Sequence, residues 1–197
     1  MLNTKKKRYL VPWQQFLENG LPLNGKLTSV TVGVFDGVHR GHQELIKRIV
    51  LFNADYVPVI VTFKREEKNE KRKKEDILSF QQRLELFERL GVEIVIVIDL
   101  TDEFKKMSGV AFLQLLLDNG NVGYFAVGEG FRCGHQLDTD AEVIQKFFAS
   151  VGIPAEIVPQ VMEGSQPISS SRIRAAIADG DITLAQRLLG DSHLHCI

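Results

Sequence analysis

Residues 29–43, SVTVGVFDGVHRGHQ, decide how the rest of the chain is read. The first seven, 29–35, form a β-branched run, one of five short stretches in the chain that together are more continuously apolar than a sheet with one face in water allows. Such a run reads as a strand covered on both faces. Glycines at 33, 37 and 41 then allow close backbone approach, and a helix opens near Gly41–His42. A strand feeding a helix through a glycine-rich turn aims free backbone N–H groups and a positive dipole end at one point, which suits an anion. His39 and His42 stand three apart, so both imidazoles reach one ligand if the helix begins there. Imidazole N–H groups donate to phosphate oxygens and carry positive charge when protonated.

Outward from that stretch the pattern repeats. Further strands are predicted at 57–63 (VPVIVTF), 93–98 (EIVIVI), 122–127 (VGYFAV) and 155–161 (AEIVPQV). Helix-period segments lie between them at 42–53, 79–90, 108–119 and 139–151. The alternation predicts an α/β domain, doubly wound around a mainly parallel sheet. The chain then turns helical. Ser169 or Ser170 can cap a helix ending at Gly180, and Asp181 can cap another that runs to Leu189 and stops at Gly190.

Composition narrows the function. The 197 residues favour one domain, and 24 Lys+Arg against 25 Asp+Glu argue against a dedicated nucleic-acid binder. No run approaches the ~18 apolar residues of a membrane span, and no apolar h-region follows the basic start. Cys133 and Cys196 are far apart and form no CxxC pair, so a reduced, cytoplasmic setting is expected. Residues 64–76, KREEKNEKRKKED, carry 7 basic and 5 acidic side chains. They read as a solvated surface flap, or as a mobile loop beside a phosphate site because they directly follow a strand end.

Two other glycine motifs fail as nucleotide signatures. Residues 20–26, GLPLNGK, match a phosphate loop up to its lysine, but Leu27 follows where a hydroxyl is needed and no strong strand precedes. Residues 128–133, GEGFRC, lack the third glycine of a dinucleotide fingerprint and read as a strand-end turn. The second anion cradle is Ser169–Arg174, SSSRIR, with three hydroxyls at a helix start and two guanidinium groups within the first turns. Taken with the histidine motif it suits nucleotidyl transfer. There the nucleophile is already an anion, so alignment and charge neutralisation suffice without a strong base.

HxGH followed by an ISSSxIR-type motif resembles the nucleotidylyltransferase superfamily. Within it FDGVHRGHQ (35–43), VGEGFRCG (127–134) and ISSSRIRAAIADGDITLAQRLLG (168–190) are most similar to bacterial FAD synthetases, the adenylyltransferase modules of bifunctional riboflavin kinase/FAD synthetases. The resemblance implies a Rossmann-like fold and the reaction FMN + ATP → FAD + pyrophosphate with Mg²⁺. It implies that Gly33, Phe35, Asp36, Gly37, His39, Gly41 and His42 form the ATP phosphate site. Ser169, Ser170, Ser171 and Arg174 would hold the other side of the triphosphate, together with Arg172, and Val127, Gly128 and Phe131 would lie near the adenine or flavin. His39, His42 and Arg174 are the expected catalytic residues, with no protein metal site assigned.

The chain departs from the family pattern in three places. KREEK (64–68) stands where a TFxPHP-like stretch would continue from Thr62-Phe63, and Lys64 and Arg65 are candidate substitutes for the lost histidine. Gly130 and Cys133 stand where an Asp or Asn and a second aromatic are usual. After residue 190 only DSHLHCI remains, so one adenylyltransferase module over 1–190 is expected, with no riboflavin kinase domain. His193, His195 and Cys196 in that tail read as frayed rather than as a metal site. Phe63, Phe80, Phe104 and Tyr124 are candidates to pack on the flavin, each as readily a core residue. Two alternatives stay open: another acceptor or CTP, and a flavin- or nucleotide-binding protein without catalysis.

Overall fold

A computed structural model describes residues 9–64 and 76–190. Six strands form one parallel sheet: β1 (Tyr9–Pro12), β2 (Thr28–Val32), β3 (Val57–Lys64), β4 (Ile94–Asp99), β5 (Val122–Gly128) and β8 (Ala155–Val158). Their order is β1-β4-β3-β2-β5-β8. Chain order reverses at β2, which pairs in parallel with β3 on one side and β5 on the other, Thr31 lying opposite both Ile60 and Ala126. In open α/β sheets a crevice forms at such a reversal, beyond the carboxyl ends of the strands. The loops after β2 and β5 therefore flank a ready-made site.

The continuous apolar runs have a direct cause. Val59 and Val61 face one hydrophobic cluster while Ile60, between them, faces the other. α2 (Arg40–Leu51) and α3 (Phe80–Arg89) cover one face, burying Ile46, Ile49 and Phe87 against Ile60 and Val95. α1 (Trp13–Asn19), α5 (Gly109–Gly120) and α6 (Ala141–Ser150) cover the other, with Phe16, Leu116 and Phe148 in the core. Side chains of this kind contribute roughly 1.5–3 kcal/mol each on burial. A short helix α4 (Asp102–Lys105) follows β4. Two small hairpins, β6 (Arg132–Cys133) with β7 (Thr139–Asp140) and β9 (Met162–Glu163) with β10 (Gln166–Pro167), border the crevice.

The chain closes with α7 (Ser170–Ala178) and α8 (Ile182–Leu189), which share a small core of Ile168, Ile173, Ala176, Ala185, Leu188 and Leu189. Ser169 caps α7 by accepting the Arg172 N–H, and Asp181 caps α8 by accepting that of Leu184. Gly180 and Gly190 end the two helices with φ of 76° and 83°.

Several boundaries differ from expectation. The second strand stops at Val32 rather than Phe35, because the backbone leaves the sheet at Gly33 and Phe35 takes a left-handed conformation (φ 54°). The following helix begins at Arg40, with His39 as its cap. Thr139–Asp140 pairs as a strand instead of starting the helix, and the last strand ends at Val158 before Pro159. The edge strand β1 and helix α1 were not expected. The charged loop, with Arg65–Lys68, and the 191–197 tail lie outside the described residues.

Candidate active site

The segment from Gly33 to His39 forms a strap across the carboxyl end of β2. Gly37 (φ 78°) and Val38 (φ 41°) join Phe35 in the left-handed region, which is uncommon for a β-branched residue and is typical of strained functional loops. The strap is held from several sides. Phe35 is buried with its ring edge-on to His42 at 5.2 Å and to Phe87 at 5.5 Å. A Cβ at position 33 would lie 3.1 Å from that ring, so glycine there makes room for it. The Gln43 amide donates at 2.8 Å both to the Val38 carbonyl and to the Leu189 carbonyl.

The two histidines meet as the motif implies. Their rings stack at 3.6 Å with 17° between planes. His39 is buried, and its Nδ1 accepts the His42 backbone N–H at 3.4 Å, which leaves the ring proton on Nε2. A Cβ at Gly41 would come within 3.2 Å of the His39 ring, so that glycine is the floor beneath it. His42 Nδ1 is buried with no hydrogen-bond partner among the described residues. Burial pushes the His42 pKa well below the usual histidine range, and His39, when its ring is protonated, and the Arg83 guanidinium push it the same way. His42 is therefore a neutral hydrogen-bonding group near neutral pH rather than a standing cation.

That shift has a consequence for stability. A histidine with a lowered folded pKa binds fewer protons folded than unfolded, so stability falls as pH drops through its ordinary range near 6.5. Melting temperatures should decline between pH 6.5 and 5.5, and His42→Asn should flatten the decline. Equal slopes for wild type and variant would contradict the assignment.

Asp36 joins the strap to α7. Its buried carboxylate accepts the Ile77 N–H at 3.0 Å and an Arg174 N–H at 2.6 Å, while its own carbonyl accepts the Ser170 hydroxyl at 2.8 Å. Arg174 thus stands behind Asp36. Arg172 turns the other way, donating to the carbonyls of Gln166, Pro167 and Glu163 on the β9–β10 hairpin. Glu163 anchors that hairpin to Arg40 at 2.6 Å, and the Arg40 contact holds its carboxyl below the usual range.

Between these elements lies a cavity of about 530 Å³ at the β2/β5 reversal. It brings together Gly33, Phe35, Asp36, His39, Gly41, His42, Gly128, Phe131, Ser169 and Ser170. It does not include Val127, which is core, Gly37, which packs under Ile77, Ser171, which is exposed beside Arg174, or Arg172 and Arg174, whose guanidiniums are engaged by the hairpin carbonyls and by Asp36. Glu129, Pro159 and Gln160 line it and were not foreseen, since only the loop ends after β5 and β8 bring them there.

A second compartment of about 350 Å³ shares Val34, Phe131 and Arg132 with the first. Its walls are mainly apolar: Phe63, Leu100, Phe104, Met107, Phe112 and Leu137, with Lys105, Arg132, Cys133 and Gly134 beside them. Burial, with Asp138 nearby, pushes the Cys133 thiol up to about 11, so it stays protonated at neutral pH. Of the four aromatic candidates, Phe63 and Phe104 line this compartment. Phe80 instead lies against the Arg83 guanidinium, and Tyr124 stacks on Phe52 at 3.8 Å and donates to Glu156.

Among the described residues no three His, Cys, Asp or Glu side chains converge as metal ligands. Asp36 already accepts one protein hydrogen bond at each carboxylate oxygen. No helix among the described residues is long and apolar enough to cross a membrane.

The FAD synthetase family model matches residues 23–172. The bifunctional riboflavin kinase/FMN adenylyltransferase of Escherichia coli (strain K12) is 27% identical over 175 residues, covering 82% of this chain and 53% of that protein. The one from Listeria monocytogenes is 28% identical over 167 residues, again covering 82% and 53%. The chain spans about half the length of the curated relatives it matches. Among solved structures, a macrolide-efflux protein from Streptococcus pneumoniae superposes with a TM-score of 0.79 at 28% identity, covering 92% of this chain and 60% of that one. A pantoate-beta-alanine ligase from Francisella tularensis shares the fold at a TM-score of 0.59 and 14% identity, covering 89% and 76%. With 150 of its 197 residues matched to the family model, the chain belongs to the FAD synthetase family.

Proposed function

We propose that residues 1–190 act as a single FMN adenylyltransferase module, moving AMP from ATP to FMN to give FAD and pyrophosphate. The observation that carries this reading is the pair of compartments meeting at Val34, Phe131 and Arg132. One offers histidines, a helix N-terminus and serine hydroxyls, as a triphosphate requires, and the other offers an aromatic-lined slot, as an isoalloxazine requires. ATP lies in the first, with its adenine towards Gly128 and Val158–Gln160. The flavin lies in the second against Phe63 and Phe104, and its phosphate reaches back past Phe131.

An oxygen of the FMN phosphate attacks the α-phosphorus of ATP, and the bond to the α–β bridging oxygen breaks. The electron pair leaves with pyrophosphate. No proton has to be removed from the dianionic nucleophile, so the chain's contribution is alignment and neutralisation of charge. His39, His42 and the helix N-terminus donate to transferring phosphoryl oxygens, Ser169 and Ser170 face them from the start of α7, and Arg174 offsets the Asp36 carboxylate behind the strap so that it does not repel them. Mg²⁺, carried in with ATP, would shield the triphosphate charge. The substrates are small molecules, and the reduced thiol Cys133 fits a cytoplasmic setting.

The test mixes pure protein with ATP, Mg²⁺ and FMN and follows FAD and pyrophosphate in equal amounts. CTP and riboflavin run in parallel. Product with CTP in preference to ATP, or FMN binding with no turnover at high enzyme concentration, would overturn the reading.

A further inference from the structure

A residue outside both motifs touches the strap from below. Arg83 lies on α3, on the face of the sheet covered by α2 and α3, and is buried to 4% exposure. Its guanidinium donates to the Val34 carbonyl at 2.6 Å and lies 5.2 Å from the centre of the Phe80 ring. The Thr62 hydroxyl donates to the same carbonyl at 3.3 Å. Arginine is rarely buried in this way without a specific task.

The geometry of a peptide unit supplies that task. No peptide bond among the described residues is cis, so the Val34 C=O and the Phe35 N–H point in opposite directions. With the carbonyl bound on the α3 side, the Phe35 N–H is directed away from α3. Val34 and Phe35 both line the polar cavity, and Val34 lines the apolar one as well. Phe35 is held in the left-handed region (φ 54°), a conformation that must be supported from outside the strap. We propose that Arg83 is a positioning residue for the phosphate-binding strap: by holding the Val34 carbonyl from beneath, it sets the Val34–Phe35 peptide so that its N–H serves the anionic part of the nucleotide.

The inference rests on the nucleotide-binding part of the function proposed above. Binding is therefore compared for ATP and for adenosine, which has no phosphate, by calorimetry on the whole chain. Arg83→Met should weaken ATP about 10-fold while leaving adenosine within twofold, because the charge-assisted hydrogen bond removed sets the Phe35 N–H, which on this proposal serves the phosphates and not the nucleoside. Arg83→Lys, which keeps the charge and one donor, should recover part of that loss. Unchanged ATP affinity in folded Arg83→Met, or equal weakening of ATP and adenosine, would overturn the proposal.

Should Arg83→Met fail to fold, Thr62→Val removes the second donor to the same carbonyl at nearly the same shape. It should weaken ATP roughly threefold with adenosine unchanged, and equal ATP affinity would overturn the proposal. Failure of the wild-type chain to make FAD while ATP still binds more tightly than adenosine would count against the acceptor assignment and not against Arg83.

Discussion

His42→Ala is expected to reduce kcat/KM for FAD formation by about 10²- to 10³-fold while the protein stays folded. The imidazole is held by its stack on His39 and by the edge of Phe35, so its position is settled before substrate arrives. Donors fixed in advance act on charge that develops in the transition state without reorganising, which is why removal of one is so costly. Truncation also leaves a small void beside Phe35, and this should lower stability by about 1 kcal/mol. Steady-state kinetics with ATP and FMN, beside thermal denaturation, separate the two effects. A kcat/KM within threefold of wild type would remove His42 from the chemistry.

The second large effect is one of stability. Gly134→Ala should destabilise the fold by about 3 kcal/mol or more. Gly134 has φ 83°, and a Cβ there would overlap Asp138 Oδ1 and the backbone N of Gly109. Neither can retreat cheaply. Asp138 accepts the Gly109 N–H at 2.9 Å and a hydrogen bond from the Thr139 hydroxyl at 2.9 Å, and His135 N–H is bonded to the Met107 carbonyl at 2.8 Å. The loop after β6 is thereby sewn to the start of α5, and it forms one wall of the apolar compartment. Denaturant unfolding measures the stability loss. In whatever fraction remains folded, the KM for FMN should rise more than that for ATP. A fully stable Gly134→Ala variant would show that the loop can rebuild, contrary to this packing.

Much of this was legible because local rules agreed with tertiary structure. Residues 57–63 and 93–98 read as doubly covered strands, since Ile60 and Val95 face one core while Val59, Val61, Ile94 and Ile96 face the other. Ser79, Ser108, Ser169 and Asp181 all cap helices near the expected starts. The errors have equally physical origins. Hydrophobicity ran on through Gly33–Phe35, but Phe35 is buried in a strap, not a strand, and periodicity cannot tell the two apart. Tyr9–Pro12 is four residues long and exists only because β4 offers an edge to pair with.

The site shows the same division. Two contiguous motifs announced the histidines and serines, whereas Arg83, Ile77 and Gln160 reach it only through the packing of distant elements. Arg172 and Arg174 stand two apart in sequence, yet one holds a hairpin and the other a carboxylate. Only helix rotation, measured against neighbours, distinguishes them.

The small core shared by α7 and α8 bears on how the molecule gains its firmness. Those helices keep an apolar interior of their own and join the strap through Arg174 and Ser170 on Asp36, through Gln43 on Leu189, and through Ile77. The cavity at the β2/β5 reversal is thus a joint between two separately packed bodies. A nucleotide bound there would touch both, so occupancy would add RT ln(1 + [L]/Kd) to the cohesion of the whole. On the function proposed above, the nucleotide is the mortar of that joint, and the chain that holds it should be the harder one to unfold.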